Sequence, residues 1–418
     1  MFKKTKKSLL QKIGPGFITG AADDDPSGIG TYTQVGAQFG FNMLWTAIFT
    51  FPLMYNIQEM VARLSMVSGQ GVTGLAKKYL PRWVVILFIS LVAIANIINI
   101  GSDLGAMAAS WQLIFPNSSY FYSIIVFALL IIFLVIYIPY HQYSLVLKIL
   151  CLTLLSYLLT VVIVTEDWRE LVQSVVTPRI VINKEFFFSL VAVFGTTISP
   201  YLFIWQSSEE VEEEIDQGRL TISQRKGATF QDIKEMRRDT LFGMSFSQLI
   251  MLCIIATSAN AFFRHGLFEI GSAAEAAQAL EPLAGRFASL IFAFGIIGTG
   301  LLAVPILAAT VAYCFCELFN WPEGLSKKFF EAKFFYLIIV ISTIIGLLLN
   351  FIGLNPIKAL FYTAFINGIC TPPLILIILS LANNRQIMGK MSNNHLSNFL
   401  GWLLVIITLA SIVLIFTL

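Results

Sequence analysis

The chain has 418 residues, of which 57% are hydrophobic and 12% charged, and its mean hydropathy is +0.80. A single soluble core cannot bury that much apolar surface, so a soluble enzyme is excluded, and the 36 phenylalanines exclude a disordered or collagen-like chain. The formal net charge of +3 gives no reason to expect nucleic-acid binding. The composition therefore predicts an all-α integral membrane protein.

Uncharged apolar stretches of about 20 residues, the length that crosses a bilayer as a helix, recur along the whole chain. They predict eleven spans. The first two lie within 13–40 and 41–68, the third begins at Trp83, and Phe-Pro-Asn-Ser at 115–118 separates the third from the fourth. The fifth is 149–165, and the others are 186–208, 240–263, 287–316, 334–357, 359–384 and 391–418.

Lysine and arginine are retained in cytoplasmic loops, and their distribution indicates the orientation of the spans. With a cytoplasmic N-terminus, 21 of the 27 Lys and Arg residues fall on the inner side. The N-terminal segment lacks the layout of a signal peptide, because Lys12 interrupts the place of an apolar core. We expect the C-terminus outside and, from the short loops, a bacterial inner membrane.

Neither the cysteines nor the histidines suggest a catalytic or permanent metal site. The five cysteines fall within predicted spans without zinc-site or disulfide spacing, which favours small buried residues. The three histidines, His141, His265 and His395, fall in predicted loops. No P-loop, zinc-protease or nucleophile-elbow motif is present, so we expect neither an enzyme nor a permanently bound cofactor.

The first and the sixth predicted spans are interrupted, whereas the others are smoothly apolar. The first span is broken directly after three aspartates, by Pro26, Ser27 and Gly28. The sixth span is broken by Gly195 and Pro200. Broken helices five spans apart are typical of inverted-repeat transporters. We predict a 5+5 repeat with helices 1–5 in 13–165, helices 6–10 in 186–384, and helix 11 in 391–418.

Asp25 is the main candidate for an ion ligand, because a carboxylate within the membrane needs a cation, a proton or water. Gly28, Thr196 and Ser199 stand where they could add oxygens, and an all-oxygen site suits hard divalent cations. The alternative is that Asp25 only caps a half-helix. Asp23 and Asp24 are expected to line an aqueous vestibule or to act as caps.

Several of these motifs resemble the Nramp family of divalent metal transporters over nearly the full length. Gly-Pro-Gly at 14–16 and Asp25-Pro26 resemble its opening motifs, and Gln-Glu-Met-Val-Ala-Arg-Leu at 58–64 resembles its second-helix motif. Asp103 matches the aspartate of an Asp-x-x-Glu pattern, and 274–285 resembles the approach to its eighth helix. The resemblance implies a leucine-transporter-type fold of eleven helices and metal uptake, commonly coupled to protons.

The chain departs from the family pattern at the metal site. The family's Asp-Pro-Gly-Asn becomes Asp-Pro-Ser-Gly, its sixth-helix Met-Pro-His becomes Ser199-Pro200-Tyr201, and a second His corresponds to Gln206. Without the thioether, we expect Mg²⁺- and Mn²⁺-like hard ions to be favoured, with Fe²⁺ also possible. The glutamate of Asp-x-x-Glu is Ala106 and the imidazoles are gone, so the sequence leaves proton coupling undecided.

The remaining polar residues have a structural and a functional interpretation. Asp103 is expected to be either an acid on a proton route or an acid that lines the cavity. Tyr201 and Gln206 are expected to fill the space of the lost imidazoles. Asn367 is a candidate to replace the metal ligand that the family usually carries on the tenth helix. Glu59 and Arg63 form an intrahelical pair or a gating pair.

The acidic run 209–216 is expected to be a solvated loop on the inner side. The alternative is that Glu209 or Glu210 attracts cations that leave the transporter. The alternative functions are a carrier of amino acids or other small organic substrates, or a sensor that does not transport. Asp25 argues against the former because it repels a substrate carboxylate. Oligomeric state is not predicted.

Overall fold

The computed structural model describes residues 14–138 and 152–418. Predictions for the basic N-terminal segment, His141, Lys148, Cys151 and the start of the fifth span lie outside these residues. Within them the chain is helical and contains no strand. Helices of eight or more residues are numbered below in chain order.

The first part of the chain carries eight of these helices. They are α1 (Pro15–Asp23), α2 (Pro26–Phe39), α3 (Trp45–Ser68), α4 (Val72–Tyr79), α5 (Arg82–Ile114), α6 (Tyr120–Tyr137), α7 (Leu155–Val164) and α8 (Trp168–Val176). The boundary between α5 and α6 falls at Phe-Pro-Asn-Ser, as the sequence predicts.

The second part carries seven helices within the described residues. They are α9 (Lys184–Thr197), α10 (Pro200–Asp216), α11 (Phe230–Ala261), α12 (Ala288–Phe319), α13 (Lys333–Leu349), α14 (Pro356–Asn383) and α15 (His395–Thr417). Helices α11 and α12 are the longest of these, with 32 residues each, and α12 packs along α5.

By length and composition, eight segments of the described chain are long and apolar enough to cross a membrane. They correspond to α5, α6, the pair α9–α10, and α11 to α15. The other three predicted spans fall on the pair α1–α2, on α3 with its polar second half, and on the short apolar α7. The chain is therefore an integral membrane protein, and the count of eleven stays a prediction.

Both predicted helix breaks are present, but each lies one or two residues from the expected position. Pro26 opens α2 and Pro200 opens α10, and the non-helical residues are those just before each proline. Proline is favoured at the first helical position, where its missing N–H has no partner to lose. Gly195 does not break the sixth span; it lies inside α9.

The expectation of a solvated acidic loop after the sixth span is wrong. Helix α10 continues through the acidic run to Asp216, and Glu210, Glu212 and Glu214 are buried in the bundle. These three residues alternate along α10 with more exposed acids such as Asp216. The charge run therefore forms the end of a membrane helix rather than a loop.

Glycines allow the closest helix crossings. A Cβ at Gly20 of α1 would clash with the backbone of Gly243 of α11, and a Cβ at Gly243 would clash with the carbonyl oxygen of Gly16. Likewise, a Cβ at Gly195 of α9 would clash with the backbone of Gly368 of α14. These contacts fix the two half-helices that precede the breaks against α11 and α14.

Candidate metal centre

The two helix breaks lie against each other. The Tyr201 hydroxyl of α10 donates to the carbonyl oxygen of Ala22, near the end of α1, at 2.7 Å. The Tyr32 hydroxyl of α2 lies 3.0 Å from Oγ1 of Thr197, the last residue of α9. All four half-helices are thus joined at one buried place, where the carbonyl ends of α1 and α9 favour a cation.

Asp25 lies at this junction and is 1% exposed. Its Oδ1 accepts from the Gly28 N–H at 2.8 Å and from the Ser27 hydroxyl at 2.7 Å, so it is the N-cap of α2. Its Oδ2 accepts from the Asn99 amide of α5 at 3.0 Å. An ionised carboxylate has about four acceptor positions, so one direction at Oδ2 is left for a further partner.

Several buried oxygens at the breaks and on the helices packed against them have no hydrogen-bond partner. They belong to Thr196 of α9, Asn99 and Asp103 of α5, and Asn367 of α14. Buried polar groups in folded proteins are nearly always paired, so these oxygens are available to a further partner. Of the four residues, Asn99 binds Asp25 directly and Thr196 lies beside Gly28.

The backbone places these residues close to the breaks. Asn99 and Asp103 are one turn apart on α5, and Asp103 is close enough to Asp25 to interact electrostatically. On α14, the Thr371 hydroxyl lies one turn after Asn367 and reaches the carbonyl oxygen of Ile198, in the second break, at 3.3 Å. Both α5 and α14 therefore present polar side chains to the junction.

Gly28 and Ser199, two of the predicted ligands, make hydrogen bonds within their own helix breaks. The N–H of Gly28 is used for Asp25, and a Cβ at Gly28 would lie 3.3 Å from Thr196 Oγ1, so this glycine keeps α2 and α9 close. The Ser199 hydroxyl donates back to the carbonyl oxygens of Gly195 and Thr196, at 2.7 and 2.9 Å. Its lone pairs remain free to accept.

Asp23 and Asp24 are fully buried and do not line an open vestibule in this structure. The Ser247 hydroxyl of α11 lies 2.5 Å from Asp23 Oδ2 and 3.4 Å from Asp24 Oδ1. The other oxygen of each carboxyl is buried without a hydrogen-bond partner. The two acids therefore point to α11, on the other side of the first break from Asn99.

Gln206 and the Glu59–Arg63 pair lie away from the junction. Gln206 is buried on α10, and its amide donates to Thr240 of α11 at 2.9 Å. Glu59 and Arg63 form the intrahelical pair on α3, at 2.9 Å between Oε1 and Nε, and Arg237 of α11 also binds Glu59. Arg63 further binds the carbonyl oxygen of Met391 before α15.

Within the described residues, no Lys, Arg or His forms an ion pair with Asp23, Asp24, Asp25 or Asp103. In the same residues, no group of three or more His, Cys, Asp and Glu side chains is arranged to hold a metal ion. The junction therefore offers one or two carboxylates with neutral oxygens, a ligand set that matches hard cations rather than zinc.

The cysteine prediction agrees with the described residues, whereas the prediction that the histidines fall in loops is wrong for His395, which is the first residue of α15. Cys253, Cys314, Cys316 and Cys370 are free and buried. His265 and His395 are exposed, outside the junction. Neither residue type therefore contributes to the site in the described part of the chain.

Three polar residues at or near the site were not predicted. Asn99 was detectable, since it lies one turn before Asp103 on the same face of α5. Ser247 carries no local signal, because serine is common in membrane helices. Asp239 of α11 accepts from the N–H groups of Gly14 and Phe17, at 3.0 and 3.2 Å, and so caps α1. That contact joins residues more than 200 positions apart, which no local pattern reveals.

Comparison with known proteins places the whole chain in one family. A family model described as natural resistance-associated macrophage protein-like (Nramp) matches residues 16–417. The chain is 22% identical over 402 residues to the divalent metal cation transporter MntH of Caldanaerobacter subterraneus, covering 94% of this chain and 90% of that protein. It is 23% identical to MntH of Klebsiella pneumoniae strain 342, covering 98% and 94%.

Solved structures show the same fold. The manganese transporter of Eremococcus coleocola, in complex with an aromatic bis-isothiourea compound, superposes with a TM-score of 0.77 at 17% identity, covering 99% of this chain and 88% of that one. The transporter Mhp1 in its inward-facing conformation superposes with a TM-score of 0.59 at 14% identity, covering 96% and 90%. The chain belongs to the Nramp family, and with it to the divalent metal cation transporters rather than to the enzymes.

Proposed function

We propose that the transported ion binds between the two helix breaks, with Asp25 as its charged ligand. Thr196, Ser199 and Asn367 supply neutral oxygens, and Gly28 keeps α2 close enough to α9 for one ion to contact both. Asp103 and Tyr201 form the polar wall of the same cavity. The observation that carries this proposal is the buried Asp25 carboxylate, which has no basic partner among the described residues and is bound by Asn99, whose own amide oxygen is unpaired.

We propose that this site favours hard cations such as Mg²⁺ and Mn²⁺ over softer ions. Each of the proposed ligands offers oxygen, and Ser199 stands where the family motif has a methionine thioether. The Met251 sulfur lies 3.7 Å from Thr197 Oγ1 at the same junction, but it is bound there to that hydroxyl. Soft sulfur ligands favour the later transition metals, whereas carboxylate, hydroxyl and amide oxygens suit Mg²⁺, Ca²⁺ and Mn²⁺. The relatives named for divalent metal and manganese transport are consistent with this class of ion.

We propose that the ion moves by alternating access in a 5+5 inverted repeat. The third and eighth predicted spans, α5 and α12, have 33 and 32 residues and pack together, as corresponding helices of two repeats would. The broken pairs α1–α2 and α9–α10 occupy the first position of each repeat. The glycine contacts of α1 with α11 hold one half-helix in the state seen here, in which Asp25 is closed to water on both sides.

We propose a release route along one face of α10, on the side of the membrane where α1 begins. Ser199, Phe203, Gln206, Glu210, Glu213 and Gln217 recur at intervals of three and four residues, so they share that face. All but Phe203 are polar. With the N-terminus in the cytoplasm, this route leads inward, and the protein is an importer of the bacterial inner membrane.

Uptake into liposomes that contain the purified protein tests these proposals. We expect Mg²⁺, Mn²⁺ and Ca²⁺ to enter with comparable efficiency, and Asp25→Ala to abolish their uptake while Glu185→Gln, a change at an exposed acid, leaves it intact. Uptake that survives in Asp25→Ala would refute the site.

The same uptake assay, measured with and without a pH gradient, decides whether protons accompany the ion. Uptake of amino acids by Asp25→Ala would instead support the alternative function, a carrier of organic substrates.

A further inference from the structure

Asn99 of α5 contacts Asp25 where the two helix breaks meet. Its side-chain amide donates to Asp25 Oδ2 at 3.0 Å, and the residue is 0% exposed. The other polar atom of the side chain, Oδ1, is buried and has no hydrogen-bond partner among the described residues. Because buried polar groups are nearly always paired, this atom is available to a further partner.

The charge of Asp25 determines which end of the Asn99 carboxamide faces it. An ionised carboxylate only accepts hydrogen bonds, so the NH₂ group must point to Asp25. The opposite orientation would bring two acceptors together at the same separation of 3.0 Å. The atom of Asn99 that is left without a partner is therefore an oxygen, and a carboxamide oxygen is a ligand that hard cations accept.

This oxygen lies close enough to Asp25 for one ion to bind both residues. The oxygen and nitrogen of a carboxamide are about 2.2 Å apart, so Asn99 Oδ1 is at most about 5.2 Å from Asp25 Oδ2. Metal–oxygen bonds of about 2.0–2.6 Å let one Mg²⁺ or Ca²⁺ ion span roughly 4–5 Å between two ligand atoms. A small rotation of the Asn99 side chain is enough to complete the contact.

The charge around Asn99 suits a neutral ligand. Asp103 lies one turn after Asn99 on α5, on the same face, and is near enough to interact electrostatically with Asp25. The two carboxylates together balance the charge of one dication. Further ligands of that ion are then best provided by neutral oxygens, which is what Asn99 offers.

We propose that Asn99 is a direct ligand of the transported ion and contributes to the preference for hard cations. This inference rests on the proposed function, because the ion concerned is the one bound by Asp25. The side-chain amide holds the carboxylate in place while the oxygen of the same side chain binds the ion. Helix α5 is therefore a third binding element of the site, beside the two broken spans.

The alternative is a purely supporting role, in which Asn99 only orients Asp25 through its N–H. Loss of a hydrogen bond to a metal ligand commonly lowers metal affinity by roughly 10–100-fold, so weaker binding by itself does not distinguish the two roles. A cysteine at the same position does. Its thiolate favours soft ions such as Cd²⁺, and the cadmium–thiolate charge-transfer band in the ultraviolet arises only when sulfur is bonded to the metal.

Titration of the purified full-length Asn99→Cys variant with Cd²⁺ tests direct contact. We expect a charge-transfer band that saturates at one Cd²⁺ per chain, and a preference for Cd²⁺ over Mn²⁺ raised by roughly tenfold or more relative to the wild type. The matched control is Asn96→Cys, one turn earlier on α5. Asn96 is 1% exposed, and its amide donates to the carbonyl oxygen of Leu307 at 3.3 Å. Neither this control nor the wild type should show the band.

Mn²⁺ binding measured by isothermal titration gives the complementary result. Asn99→Ala should weaken it by roughly 10–100-fold, whereas Asn96→Ala should leave it unchanged. If Asn99→Ala does not fold, Asn99→Ser, which keeps a small polar side chain, takes its place in the same comparison.

The outcomes separate the failure of this inference from the failure of the proposed site. If Asn99→Cys shows no band while Asp25→Asn still loses Mn²⁺ binding, Asn99 is not a ligand and the transport site stands. An equal band in Asn96→Cys would also overturn the inference, because Cd²⁺ would then be binding any thiol on α5. A band in Asn99→Cys together with full Mn²⁺ binding in Asp25→Asn would refute Asp25 as the charged ligand and retain Asn99.

Discussion

Asp25 caps a helix and is also the proposed ion ligand. Its Oδ1 caps α2 through Ser27 and Gly28, and its Oδ2 accepts from the Asn99 amide. The capping bonds hold the carboxylate in a fixed orientation, so binding of the proposed ion would cost little side-chain entropy. The capping and ligand interpretations of this residue are therefore compatible.

Replacing Asp25 by asparagine separates these two purposes. The amide oxygen can still cap α2, and a buried charge disappears, so the unfolding temperature of Asp25→Asn in the absence of metal should equal or exceed that of the wild type. Wild-type protein gains about 2.7 kcal/mol when Mn²⁺ is present at 100 times its dissociation constant. The variant should gain far less, and thermal unfolding with and without Mn²⁺ measures the difference. A full Mn²⁺ shift in Asp25→Asn would contradict the site.

Ser199 determines the softness of the site in this proposal. Ser199→Met returns a thioether to the second break and should raise the preference for Mn²⁺ over Mg²⁺ roughly tenfold, equal to about 1.4 kcal/mol. Ser199→Leu has similar bulk without sulfur and controls for crowding. Competition of Mg²⁺ against Mn²⁺ uptake gives the ratio, and an equal change in both variants would show that size rather than sulfur is responsible.

At the level of helices, the breaks form where a proline begins a new helix. Pro26 and Pro200 each occupy the first helical position, so the preceding two residues leave the helical conformation. Sequence alone located both breaks to within two residues, because proline and glycine are strong local signals. It misassigned Gly195, whose role is the close approach to Gly368. That role depends on a partner in another helix.

The contact between α1 and α11 should tolerate no side chain at Gly243. A Cβ there would clash with the backbone of α1, which cannot rotate away as a side chain would, so Gly243→Ala should destabilise the protein by about 1–3 kcal/mol. Gly74→Ala is the matched control, because its Cβ would meet nothing nearer than 3.8 Å and alanine favours the helix by roughly 0.5–1 kcal/mol. Thermal unfolding of both variants in one detergent compares them.

The cap on α1 is supplied by another helix, so its loss should act at a distance. Asp239→Ala removes the acceptor for the N–H groups of Gly14 and Phe17, at a cost of about 1–2 kcal/mol. Hydrogen exchange at the start of α1 should become faster. Thr229→Ala removes a cap from α11 itself and serves as the control, since it should leave exchange in α1 unchanged.

For the whole molecule, hydropathy predicted a helical membrane protein, and the two interrupted spans together with the family resemblance predicted a transporter; the fold agrees with that class. The contents of the site were predicted less completely. Asp25, Thr196 and Asn367 of the proposed site were named from the sequence, whereas Asn99 and Ser247 emerged only when the helices were packed together. The acidic end of α10 was misread as a loop, because charge runs normally mark solvated surface.

The orientation of the chain is a prediction for the whole molecule, because the direction of the proposed release route depends on it. An odd number of spans would put the two ends on opposite sides, and the excess of basic residues predicts a cytoplasmic N-terminus. A reporter that fluoresces only in the cytoplasm should therefore be bright at the N-terminus and dark after Leu418.

Cysteine labelling tests the same orientation at two exposed positions of the described chain. A cysteine introduced at Glu235, on the side of the proposed release route, should resist an impermeant maleimide in intact cells and react after lysis. A cysteine introduced at Glu269 should react in intact cells. Bright reporters at both ends would mean an even number of spans, and labelling of the Glu235 position from outside would make the proposed release route the entrance for ions rather than their exit.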